Sequence, residues 1–169
     1  MRVATRASRA KTGTRRAGLG AKLVGIGLTT AVAIGISAGP AAAAAVNPVF
    51  VPGNPTLACP DGAEAFRIDP PVDTTVPVTV GAESGTVIVD FSDDLLQVNF
   101  DTTGNLAIRQ VTVKGGPDAN RYIYDANSTP TSFPDGIAMD TGLIPPTNPG
   151  GQPPEISHVD FCVIEGNGS

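Results

Sequence analysis

Tryptophan is absent, and six phenylalanines and two tyrosines are the only aromatic rings besides one histidine in 169 residues. A core with so few rings leans on each of them, so Phe66, Phe91, Phe100, Phe161, Tyr122 and Tyr124 are its expected anchors. Histidine occurs once, at position 158, and cysteine twice, at 59 and 162. Without a C-x-x-C pair, and with a lone histidine four positions before Cys162, the usual zinc-ligand spacings are excluded. There is no G-x-S-x-G elbow, and Lys114-Gly115-Gly116 lacks the spacing of a phosphate-binding P-loop. The first 45 residues contain no acidic residue, and basic residues are nearly missing from the rest.

That asymmetry marks an export leader. Arg2, Arg6, Arg9, Lys11, Arg15, Arg16 and Lys22 precede an apolar run over 23–38, followed by Pro40 and five alanines, Ala41 to Ala45. A positive head, an apolar run and small residues of the A-x-A kind are the layout of a cleaved signal peptide. The expected cut follows Ala45, within a few residues. A membrane anchor needs about 20 apolar residues, and this run is shorter and diluted by Gly25, Gly27 and Gly35. Arg15-Arg16 raises a twin-arginine alternative, but Ala17-Gly18-Leu19 lacks the bulky apolar pair of that signal.

Removing the leader changes the chemistry of what remains. All sixteen acidic residues lie after Ala45, against the four cations Arg67, Arg109, Lys114 and Arg121, so the net charge of that part is −12. Such a charge repels nucleic acid and anionic membrane surfaces, which excludes both as expected partners; membrane insertion is not expected either. In an oxidising exterior the two cysteines are expected to pair as Cys59–Cys162, enclosing nearly the whole domain.

No stretch reads as a strong helix. Short β-branched runs at 63–68, 76–80, 86–91, 95–100, 106–114, 120–125 and 156–164 are separated by Gly, Pro, Asn and Asp. This pattern predicts an all-β fold, a small antiparallel β-sandwich of jelly-roll or Greek-key type closed by one disulfide. The expected organisation is a leader over 1–45, an extended segment over 46–58, one sandwich domain over 59–164 and a short tail over 165–169. Tight connections at 92–94, 101–105 and 115–119 predict a three-hairpin meander over 86–125. The Pro- and Gly-rich stretch 130–153 reads as loop.

The run from Val111 through Lys114-Gly115-Gly116 to Tyr122 and Tyr124 is followed by Asp140-Thr141-Gly142-Leu143, Pro146, Asn148 and then Ser157-His158 and Phe161-Cys162. In this combination the chain resembles a module of secreted and surface proteins, mostly actinobacterial, that has no established activity. The resemblance implies a secreted β-domain with a terminal disulfide and carries over no catalytic residue. A C-terminal sorting motif is not seen, so wall anchoring is not expected.

Candidate chemistry is sparse. Ser157, His158 and Asp160 suggest a hydrolytic triad, but on a strand Ser157 and His158 point to opposite faces. Asp93, Asp94 and Asp101 are candidate calcium ligands, since calcium takes six to eight oxygens from carboxylates and loop carbonyls. Tyr122 and Tyr124 share a strand face and form a candidate stacking platform for a sugar. The expected function is therefore a secreted non-enzymatic module, binding or structural at the cell surface, with a glycan or a surface protein as its partner. The alternatives are a glycan-binding module using Tyr122 and Tyr124, and a small extracellular hydrolase.

Overall fold

The computed structural model describes residues 44–167, which contain nine β-strands and no helix. The expected leader lies outside the described residues except for its last two positions. The strands are β1 (Val49–Val51), β2 (Glu64–Ile68), β3 (Thr74–Val80), β4 (Glu83–Phe91), β5 (Val98–Thr102), β6 (Leu106–Gly115), β7 (Asp118–Ile123), β8 (Met139–Leu143) and β9 (Ile156–Glu165). They form a five-stranded sheet in the order β1-β7-β6-β9-β2 and a four-stranded sheet in the order β3-β4-β5-β8. Every pairing is antiparallel. The two sheets share one core, so the chain is an all-β sandwich with the Cys59–Cys162 disulfide in place.

Alternation explains the inner faces. Val87 and Val89 of β4, Val98 and Phe100 of β5, and Val78 and Val80 of β3 point inward, while Ile88, Asn99 and Thr79 between them point to the other face. From the other sheet, Val111, Val113, Tyr122, Val159, Phe161 and Val163 meet them. The scarce rings interlock at the centre. Phe161 stacks on Phe66 at 5.0 Å and meets Phe100 edge-on at 5.8 Å, and Phe100 meets Tyr124 at 6.0 Å.

Two hairpins form as expected. In the β6–β7 turn only Gly116 has a positive φ, +61°. Gly115 is needed for a different reason: a Cβ there would sit 2.7 Å from Pro145 Cβ and 2.8 Å from the Glu155 carbonyl. The β4–β5 connection is longer than three residues. Ser92 Oγ accepts the Leu96 and Gln97 N–H groups, Leu95 takes φ +55°, and the strand therefore starts at Val98 rather than Leu95.

The third hairpin does not form. β5 is already flanked by β4 and β8, so the chain turns a corner at Gly104 (φ +72°) and enters the other sheet as β6. Residues 86–125 are thus two hairpins in two sheets, not a meander. The sandwich also begins earlier than Cys59. Val46 is buried in the core, and β1 pairs with β7. β8 falls inside the stretch read as loop.

One connection defines the architecture. β1 and β2 are consecutive in the chain yet occupy opposite edges of the five-stranded sheet. Residues 52–63 must therefore cross the outer face of β7, β6 and β9 as a strap. It is pinned where Gln110 Nε2 donates to the Ala58 carbonyl at 3.1 Å and where Cys59 bonds Cys162, with Cα atoms 5.4 Å apart. Pro55, Leu57 and Cys59 are half-buried, while Asn54, Thr56 and Ala58 between them are exposed.

Candidate functional site

The register of the five-stranded sheet brings its polar side chains to the outer face. Lys114 lies opposite His158, Thr112 opposite Asp160, and Gln110 opposite Cys162, while Arg67 and Arg121 extend the Thr112–Asp160 row on either side. Three of the four cations after residue 45, and the one histidine, thus share a single sheet face. Gln110, Thr112, Lys114, His158 and Asp160 are all buried.

Arg67 clamps Asp160 with two bonds, Nε to Oδ1 at 2.6 Å and Nη2 to Oδ2 at 3.0 Å. The guanidinium therefore holds its proton more firmly than usual, chiefly through this hydrogen bond. Lys114 Nζ donates to the Gly116 carbonyl. His158 Nε2 and Arg121 Nε are buried without a partner. Burial pushes the His158 pKa down; Arg67 and Lys114 add to this, and Asp160 and Asp69 oppose it. Ser157 points elsewhere and bonds the Lys114 carbonyl. The triad pairing of Ser157 with His158 is thus not assembled, because strand alternation separates the two side chains.

Tyr122 and Tyr124 share a face as alternation predicts, but it is the inner one. Both rings are buried in the core at 1% and 0% exposure, so they offer no platform to a sugar. The reason is the shortage of rings: a core without tryptophan uses both tyrosines as filling and satisfies their hydroxyls locally. Tyr122 Oη donates to the Ile144 carbonyl at 3.0 Å and accepts the Ile144 N–H at 2.9 Å. Tyr124 Oη donates to Asp140 Oδ2 at 2.8 Å. Burial raises both phenol pKa values, and for Tyr124 the Asp140 charge adds to the rise.

The candidate calcium ligands are not gathered. Asp94 Oδ1 accepts Ser92 Oγ at 2.6 Å and the Leu96 N–H at 3.2 Å, which lowers its pKa and commits it to the turn. Asp101 stands at the other end of β5, opposite Ile88. Among the described residues, no three His, Cys, Asp or Glu side chains are grouped to hold a metal.

Asp140, named from the sequence only as the start of the Asp140-Thr141-Gly142-Leu143 stretch, has a role of its own. It is 5% exposed and accepts the Ala45 N–H at both oxygens (2.9 and 3.1 Å), its own neighbour Thr141 N–H at 2.7 Å, and the Tyr124 hydroxyl. The signal was the buried tyrosine, whose hydroxyl required a partner.

An open depression of about 350 Å³ lies at one end of the sandwich, between the Gly104-Asn105 corner, Asp135-Gly136 and Gly166. No candidate residue lines it. Among the described residues no helix is long and apolar enough to cross a membrane. No protein-family model, curated protein or solved structure matches the chain.

Proposed function

We propose that the chain is a secreted, non-enzymatic module that binds or braces at the cell surface. The observation that carries this reading is the stapled strap. A disulfide persists in oxidising compartments, and this one fastens the 52–63 strap to the sheet beneath it. The basic head, apolar run and alanine tract support export.

The non-enzymatic half rests on where the reactive groups are. His158, the one side chain with an ordinary pKa near neutrality, is buried on the polar face, and burial disfavours its protonated form. Asp160 is held by Arg67, and Asp140 by backbone and tyrosine donors. With Tyr122 and Tyr124 inside the core, a partner meets a surface of turns and exposed strand edges, where Val49, Phe50, Val72 and Met139 are the exposed large apolar side chains.

Fractionating a culture that expresses the full chain tests export: the protein is expected in the medium or the wall fraction, and retention inside the cell overturns the reading. Ester and glycoside screens of the purified protein are expected to stay blank. Turnover that His158→Ala abolishes overturns the non-enzymatic half.

A further inference from the structure

Asp140 presents an unbalanced charge. A carboxylate removed from water demands compensation, commonly from a cation. Among the described residues no Lys, Arg or His lies within ion-pair distance of it; the pair that does form is Arg67–Asp160, elsewhere in the sandwich. Its donors are all uncharged: the Tyr124 hydroxyl and two backbone N–H groups.

The Ala45 nitrogen is the unusual member of this set. It sits 2.9 Å from Oδ1 and 3.1 Å from Oδ2, near enough to both oxygens to serve both. As a peptide nitrogen it divides its single hydrogen between the two oxygens in a three-centre bond. An ammonium carries three hydrogens and a full positive charge, and it suits this position better on both counts.

The chain from this atom onward is firmly held. Val46 is buried and bridges Pro130, and Asn47 N–H donates to the Thr129 carbonyl at 2.7 Å. Ahead of it, the alanine tract offers small residues at the required positions for cuts after Ala43, Ala44 or Ala45, so the A-x-A rule alone does not choose among them.

We infer that export processing cuts between Ala44 and Ala45, and that the new α-ammonium of Ala45 forms a partly buried ion pair with Asp140 that locks the N-terminus into the finished sandwich. The cut lies one residue before the boundary after Ala45 expected from the sequence. Cleavage after Ala45 would remove the very nitrogen that contacts the carboxylate. Cleavage after Ala43 would leave that nitrogen an uncharged amide. Asp140, some 95 residues downstream, thereby reads where the leader ended.

This inference rests on the export reading above, and one experiment separates their failures. The full chain is expressed in an exporting bacterium, and the N-terminus of the released protein is read by mass spectrometry. A first residue of Ala45 is the expected result. A start at Ala44, Val46 or any other position overturns the inference while leaving export standing; an uncleaved chain held in the cells overturns both.

A second measurement tests the ion pair itself. Lys114 carries the only other amine after Ala45, so labelling by an amine-reactive reagent is easily resolved by site. The α-amine of the native protein should label at least about ten-fold more slowly than that of the reduced, unfolded protein, as one pKa unit alone removes that share of free amine. Asp140→Asn should restore the rate. Equal rates in native and unfolded wild type overturn the ion pair even if the variant fails to fold.

Discussion

In the four-stranded sheet, residues alternate between core and solvent along β3, β4 and β5; in the five-stranded sheet, β6 and β9 are buried on both faces over most of their length. The inner faces of both sheets are apolar and rich in valine, with the buried isoleucines and the tyrosines on the five-stranded side. The outer faces differ in kind. One is an ordinary solvated surface, while the other carries Gln110, Thr112, Lys114, His158 and Asp160 out of water. The strap over 52–63 accompanies this difference; beneath it Asp160 is bonded by Arg67 and Gln110 bonds the strap, while His158 Nε2 and Arg121 Nε are buried without a partner.

If the strap and its staple sustain this asymmetry, removing the staple should have the largest effect. Cys59→Ala with Cys162→Ala releases a loop of 103 residues, and the chain-entropy model puts the loss at roughly 4–5 kcal/mol, read as a fall in the urea midpoint. Breaking the clamp beneath comes next, and its two halves are unequal. Arg67→Ala strands a carboxylate that is 3% exposed, costing about 2–3 kcal/mol after allowance for water at the arginine side. Asp160→Ala should cost less, because the Arg67 side chain, a third exposed, can turn to solvent.

A smaller effect is expected from His158. Its pKa is lowered in the folded state, so the unfolded chain binds the proton more readily. Its contribution is complete above the ordinary histidine range near 6.5 and is lost as pH falls through the folded value. Denaturation at pH 7 and pH 5.5 should show wild type losing more stability than His158→Gln. On the four-stranded sheet, Thr79→Ala removes an exposed hydroxyl contact with Ser84 and should shift stability by less than about 0.5 kcal/mol.

The same contrast explains what could be read from the sequence. Alternation in β3 and β4 is plain because one side of each is wet. The strands β6 and β9 are legible from their β-branched runs, but nothing local says that Lys114 or His158 is buried. That depends on a crossing segment that starts some sixty residues before Lys114. β1 is Val-Phe-Val, too short between Pro48 and Pro52 to stand out, and β8 reads Met-Asp-Thr-Gly-Leu, with a single β-branched residue. The disulfide was legible because only two cysteines exist. Asp140 was not, because Ala45 and Tyr124 reach it from far along the chain while its sequence neighbours look like a turn.

The position of β9 has a consequence for how the molecule comes together. The last strand in the chain sits between β6 and β2, and β2 has no other partner in its sheet, so Glu64 waits for Val163. A fold closed by contacts this distant in sequence assembles late and slowly. As the chain is made from its N-terminus, every element up to β8 exists before the strand that joins them. A chain stopped short of Ile156 keeps two open edges, on β2 and β6, ready to capture a strand from a neighbour. The ten residues of β9 separate an aggregation-prone intermediate from a finished sandwich.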